Sequence, residues 1–329
     1  MGRSTTLTVS ICASILLLAA PCSSAAEHGM NEKVLSQIPE NLKAIVDRGQ
    51  SSGMVTLVAR NGEIASIDAV GWRVMDKEPL ETTDVFWAAS ITKPFVAVAI
   101  MMLVDEGKLK LDDLVEQHIP EFKGQKVRLG KRRAETAKHP LTIRNLLNHL
   151  DGLPKNPTRS RAAKTIKRRV LTTAKDPLMW EPGTKFMYGG EGLYVAAYIV
   201  EKYSGMPYTQ FLKTRILDPL GMENTYFTIK NVPRNRTVPR HSKPRKGKWK
   251  ATEMRDFTWS TGGSYFAVDG GFFSTAEDLF PWYQMLLNGG EYGGVRYLSE
   301  KSVRELTRKQ TGDVNPAGHG PGNFQALAF

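Results

Sequence analysis

The stretch PFVAVAIMMLV, residues 94–104, does most to limit what this chain can become. Val96, Ala97, Ile100, Met101, Leu103 and Val104 recur at spacings that keep one face of a helix apolar, and Gly107 is a natural stop. A helix of that kind belongs in a core, where its apolar face is out of water. The two polar residues at its head fit this reading less well. Ser90 is a residue type that caps helix N-termini. Lys93, however, puts a cation in the first turn, where the helix dipole disfavours it by a few tenths to about 1 kcal/mol, and Pro94, Phe95 and Val96 follow it instead of polar neighbours. Desolvation and the dipole both disfavour the ammonium form of a lysine partly buried there. Its pKa is therefore expected to fall towards neutrality, which lets it accept a proton. At i and i+3 the two side chains share a helix face, with the amine in reach of the hydroxyl and the first-turn amides pointing outward as anion donors. Residues 90–93 thus hold a nucleophile, a base and part of an oxyanion site. Ser-x-x-Lys also recurs by chance, so a core helix with polar capping residues stays open as the competing reading.

The N-terminus differs in composition from the rest. Arg3, the apolar run ICASILLLAA and the small residues SSAA before Glu27 read as a secretory signal over residues 1–26, cleaved after Ala26. The expectation is an exported protein, periplasmic or secreted, whose single domain occupies residues 27–329. Both cysteines, Cys12 and Cys22, fall inside the signal, so the mature chain has no disulfide, thiol nucleophile or cysteine metal site. Lipidation at Cys22 is disfavoured by Pro21, where a small residue is wanted.

The formal net charge of +12 is concentrated at 123–139, 159–169 and 234–250. Nucleic-acid binding calls for aromatic residues interleaved with such charges, and only Trp249 offers itself. Solvated loops, with contact to an anionic cell envelope as a further use, explain the excess better than a nucleic-acid partner.

Along the mature chain, residues 31–49 predict a helix on Leu35, Ile38, Leu42, Ile45 and Val46. MVTLVARNGEIASIDAVGW predicts two strands about an Asn61-Gly62 turn, the strongest short hairpin signal. After the helix at 90–107, residues from about 110 to 230 read as mostly helix and loop. GGFFSTAEDLFPWYQMLLNGG then gives a Gly-Gly turn, a Ser/Thr cap and a further helix, with SEKSVRELTRKQTG as a short helix after it.

The order of hairpin, FWAASITKPF, LTIRNLLNHLDGLP, WEPGTKFMYGG, EKYSGMPYTQFLKTRILDPLGMENTYF and GGFFSTAEDLFPWYQMLLNGG resembles the serine β-lactamase-related family over residues 31–313. That family includes class C β-lactamases, family VIII esterases and DD-peptidases. The resemblance implies an α+β fold (an α/β sandwich): an antiparallel sheet flanked by helices, a mostly helical lobe at roughly 110–250, and the active serine at a helix N-terminus between them. It implies that Ser90 is the nucleophile and that Tyr188 of MYGG works with Lys93 as general base, later returning the proton to the leaving group. A core tyrosine with a satisfied hydroxyl is the alternative for Tyr188. Gly190 stands where the family has an Asn that helps hold an acylamino side chain, which tilts the expectation towards simple esters or peptides. The implied partner is a small ester, peptide or β-lactam, attacked through an acyl-enzyme with no cofactor.

Other candidates carry less. His149 matches a family position, but a helix end with Gly152 as its stop suits a structural histidine. No His-Glu-x-x-His, metal-spaced pair or Gly-x-Ser-x-Gly is present. Glu181 precedes a Pro-Gly turn, and Glu191 opens a helix where the dipole favours a carboxylate. The family's third motif, Lys-Thr-Gly or His-x-Gly on an edge strand, has only His319 as a candidate, in a Gly/Pro-rich stretch. The C-terminal strands are therefore expected to be missing. The expectation that follows is a C-terminally truncated homologue with an open sheet edge, a partly uncovered core helix and weak or no activity, or a penicillin- or peptidoglycan-binding protein that turns over poorly.

Overall fold

A computed structural model of the chain describes residues 29–130, 133–155, 163–242, 249–254, 265–314 and 325–328. The expected signal at 1–26 and the third-motif candidate His319 lie outside the described residues.

The predicted N-terminal helix is split. A short turn of helix, Glu32–Leu35, is capped by Asn31, whose Oδ1 accepts from the Val34 N–H at 3.3 Å, and α1 runs from Gln37 to Asp47. Ser36 breaks the pair because its Oγ donates to the Lys33 carbonyl, a local bond that competes with helix continuation. Next come β1 (Gly53–Arg60) and β2 (Glu63–Val74), antiparallel about Asn61 and Gly62 at φ 56° and 85°. Two successive positive φ values define the tight turn that the Asn-Gly pair predicts. Gly53 faces Gly71 in this ladder, and Gly71 combines φ 93° with backbone so close that a Cβ would meet the Ser52 carbonyl at 2.5 Å. A two-residue β3 (Glu78–Pro79) pairs with β2, and Arg73 closes that corner with ion pairs to Glu78 and the buried Asp84. Among the described residues β1 pairs with β2 alone.

β4 (Phe86–Trp87) leads through a 3-10 turn, Ala89–Thr92, into α2 (Lys93–Asp105). Residues 95–103 of α2 are all buried, most of them fully. The helix is apolar all round instead of on one face, and the expected uncovered flank is absent. Its cover comes from several elements. Beyond it lie α3 (Ile143–Leu147), α4 (Ile166–Thr173), α5 (Glu191–Ser204) and α6 (Tyr208–Leu212). The last of these continues as a π turn, Lys213–Leu217. β5 (Phe273–Ser274) pairs antiparallel with β4 and runs into α7 (Ala276–Leu287), and α8 (Glu300–Thr307) follows. α5 and α8 pack directly on α2. From α7, Trp282 stacks on Phe95 with ring centroids 3.7 Å apart, while Phe272 meets the same ring edge-on at 4.9 Å. Leu327 is fully buried, and the adjoining amides bond to Leu306 and Leu147, so residues 325–328 finish the same core.

The region read as mostly helix and loop also contains two short antiparallel ribbons, Lys126–Arg128 with Ala134–Thr136 and Arg240–Ser242 with Lys250–Thr252. These strands are too short for a period-2 pattern to stand out.

Candidate active site

Ser90 lies in the 3-10 turn and not at the helix cap that its residue type suggests. The N-cap position of α2 belongs to Thr92, and Pro94 fits the first helical turn, where its missing N–H costs nothing. The Thr92 hydroxyl does not cap the helix. It accepts from the Phe272 N–H at 3.2 Å. The segment 270–274 also holds Trp87 through a 2.6 Å bond from the indole N–H to the Gly270 carbonyl, and the Ala88 N–H donates to the Phe272 carbonyl at 2.8 Å. Clamped in this way, the chain turns through Ala89 at φ 47°. A left-handed alanine is strained by about 1 kcal/mol or more and persists only where its surroundings impose it. The result is that Ser90 is exposed at the mouth of a cavity while Lys93, one turn on, is 6% exposed.

Lys93 Nζ lies 3.0 Å from Ser90 Oγ, 2.5 Å from the Asp269 carbonyl oxygen and 4.8 Å from the centroid of the Tyr188 ring. All three sequence candidates are therefore together. Tyr188 meets Lys93 through its ring face, and among the described residues its hydroxyl has no hydrogen-bond partner. That ring is 45% exposed and rests on His149, with centroids 5.0 Å apart. The backbone beneath is tied by the Met187 N–H donating to the His149 carbonyl at 3.0 Å.

His149 is 2% exposed at φ 60°, and burial, aided by the nearby Lys93 charge, holds its imidazole down at about 3. It is a neutral packing surface for Tyr188. The stop of α3 falls at Asn148, earlier than the expected Gly152, whose φ of 71° serves instead a close approach to the Trp180 carbonyl. Two residues on from His149, Asp151 accepts from the Leu153 N–H at 2.7 Å, and burial pushes its carboxyl up to about 7.

Both glutamates near Tyr188 have structural partners. Glu181 accepts from the amides of Lys138 and His139 at 2.9 and 3.1 Å. Glu191 is buried against Arg169, which donates Nε–H at 3.1 Å and a second bond from Nη2, and Thr173 donates to it at 3.2 Å. Burial raises the Glu191 pKa, and the Arg169 guanidinium opposes that rise.

The cavity at Ser90 measures about 270 Å³ and is walled by Trp87, Lys93, Tyr188 and Gly190, with Lys155 and Asp269 as further charged residues. Sequence reading found neither Lys155 nor Asp269. Lys155 lies in a basic, loop-like stretch with nothing to mark it, and Asp269 precedes a Gly-Gly turn that reads as mere punctuation. Among the described residues no cluster of His, Cys, Asp and Glu could hold a metal ion. The arrangement offers an exposed hydroxyl, a buried amine in contact with it, and an aromatic hydroxyl nearby. That set can form and break an acyl-serine bond.

The Beta-lactamase family model matches residues 38–327. A protein of Salmonella agona (strain SL483), provisionally named a D-alanyl-D-alanine carboxypeptidase, is 30% identical over 262 residues and matches 71% of this chain, which spans 58% of that relative's length. Among solved structures, EstCE1, titled a hydrolase with promiscuous acyltransferase activity, superposes with a TM-score of 0.73 at 22% identity over 90% of this chain and 82% of its own. The D-amino acid amidase of Ochrobactrum anthropi SV3, complexed with L-phenylalanine amide, superposes with a TM-score of 0.63 at 24% identity over 83% of this chain and 74% of its own.

Proposed function

The chain belongs to the serine β-lactamase-related family and has its α+β fold, and on that premise we propose that it is an exported serine hydrolase working through an acyl-enzyme on Ser90. The observation that carries the reading is the 3.0 Å contact between Lys93 Nζ and the exposed Ser90 hydroxyl. In the attacking state Lys93 is a neutral amine whose lone pair takes the serine proton. One of its N–H groups stays on the Asp269 carbonyl, which keeps the amine aimed. Ser90 Oγ then bonds to the substrate carbonyl carbon, and the oxygen that becomes negative is stabilised by the Ser90 N–H at the start of the turn. Tyr188 shares the proton transfer and carries the proton to the leaving group. Water attacks the acyl-serine, and its proton returns by the same route, releasing the acid.

The substrate class is a small ester, amide or peptide, or a β-lactam. The carboxypeptidase name of the Salmonella agona relative and the amidase and hydrolase titles of the structural neighbours point the same way for this protein. Gly190 carries no amide to hold an acylamino group, which supports simple esters or short peptides over penicillins. Export rests on residues 1–26, and intact-mass analysis of protein recovered from the producing cell tests cleavage after Ala26. The activity is tested with a fluorophosphonate probe, a labelled penicillin and a short-chain nitrophenyl ester. Ser90 is the expected adduct on peptide mapping, with Ser90→Ala losing both label and turnover. An adduct on another residue, or turnover surviving in Ser90→Ala, refutes the proposal.

A further inference from the structure

We propose that Asp269 makes this pocket select acyl donors bearing a protonated amine beside the reacting carbonyl. The inference rests on the serine-hydrolase reading above.

Asp269 is placed at the reacting centre by its own backbone, since its carbonyl oxygen accepts from the same Lys93 Nζ that contacts Ser90 Oγ. Its side chain lines the cavity into which Ser90 opens. One carboxylate oxygen, Oδ1, accepts from the Tyr194 hydroxyl at 3.1 Å, and among the described residues no cation pairs with this carboxylate. Arg169, which lies on the Tyr194 ring, is committed elsewhere. Its guanidinium lies 3.6 Å from the Tyr194 ring centroid and is ion-paired to Glu191. Tyr194 therefore holds Asp269 in place without neutralising it.

The second oxygen explains Gly190. A Cβ built at position 190 would lie 2.3 Å from Asp269 Oδ2 and 2.8 Å from its Cγ. The carboxylate fills the space that a side chain at 190 would need, so the wall at this point is an anion. An anion facing a small cavity favours a cationic substrate group, most simply an α-ammonium next to the carbonyl that Ser90 attacks. The Lys93 amine is directed at Ser90 Oγ and at the Asp269 backbone carbonyl instead of the carboxylate, and Lys155 is exposed at the rim on a long flexible stem. A charge-assisted hydrogen bond of this kind corresponds to a preference of about 10- to 100-fold in kcat/KM.

The test measures kcat/KM on the full chain with alanine p-nitrophenyl ester, its N-acetyl derivative and p-nitrophenyl propionate, in D and L forms where chiral. The expected result is a preference of at least about 10-fold for the free amine over propionate, fading as pH rises past the amine pKa, near 8 for an α-amino group. In Asp269→Asn, which keeps the acceptor for Tyr194, the amine-to-propionate ratio should fall by about 10- to 100-fold. The double variant Asp269→Ala, Gly190→Asn should shift preference to the N-acetyl ester. Equal loss on all esters in Asp269→Asn would make the carboxylate a mere support for Lys93 and overturn the proposal. So would turnover of the propionate with no amine preference in the wild-type chain, while leaving the hydrolase reading intact. Absence of any ester turnover together with no labelling at Ser90 overturns the hydrolase reading itself, and this proposal with it.

Discussion

Two titratable side chains in the turn after α3 are buried with opposite consequences for pH. His149 and Asp151 are 2% and 7% exposed. Burial, with Lys93 nearby, lowers the His149 pKa from 6.5 to about 3, and burial raises the Asp151 pKa from 3.8 to about 7. The stability contributed by His149 is present above its unfolded pKa and is lost as pH falls through 6.5 towards 3. For Asp151 the contribution is complete below 3.8 and is lost as pH rises through about 7. Between roughly pH 4 and 6.5 the unfolded chain holds one proton on the pair, on His149, and the folded chain also holds one, on Asp151. The two slopes cancel, and the pair leaves wild-type stability flat in that window. Asp151→Asn keeps the acceptor for Leu153 but removes the titration. Relative to wild type its stability should rise by about 1.4 kcal/mol per pH unit, or about 3 kcal/mol across the window. His149→Asn, a residue that tolerates the positive φ at this position, should show the mirror image, falling by about the same amount per unit. Its cavity cost is independent of pH and drops out of the slope. Urea unfolding at pH 4.5, 5.5 and 6.5, followed by tryptophan fluorescence and with m held common, reads these slopes directly. Parallel profiles for Asp151→Asn and wild type would mean that Asp151 is ionised in the folded state, and the argument from burial would fail.

Lys93→Arg should lose about four or more orders of magnitude in kcat/KM on any ester the wild type turns over, because a guanidinium does not surrender its proton; near-normal rates would reduce Lys93 to a positioning charge. Trp282→Ala removes a fully buried ring stacked on Phe95 beneath the serine-bearing turn, and denaturant titration should show a loss of about 3–5 kcal/mol. Gly71→Ala sets a Cβ 2.5 Å from the Ser52 carbonyl at φ 93°. It should destabilise by about 2 kcal/mol or more, whereas the same change at the open Gly62 should cost less, as paired thermal melts will show.

Where a structural feature depends on residues close along the chain, it could be read directly from their order. The Asn61-Gly62 turn carries its own conformational preference, so the hairpin appears where two strands meet such a pair. Ser90 and Lys93 are three residues apart, and the contact between amine and hydroxyl is the one that i, i+3 spacing predicts. Tyr188 was reachable through the order of several weak stretches, each a local signature. The other features depend on segments far apart in sequence meeting in space. Whether the helix begins at Ser90 or at Lys93 was settled by the segment 270–274, which takes the Thr92 hydroxyl and the Ala88 amide and holds Ala89 at a strained φ. Local propensity has no term for those bonds. The full burial of α2 likewise comes from α5, α7 and α8 packing on it, while the spacing of its residues predicts only that one face is apolar. The charge on the pocket wall is the strongest case. Asp269 beside its Gly-Gly turn and Gly190 at the head of α5 are each unremarkable in the sequence. Only when tertiary packing brings them into contact does the missing side chain at one position become the space that holds the carboxylate of the other, because steric exclusion acts between atoms that are near in space, whatever their separation along the chain.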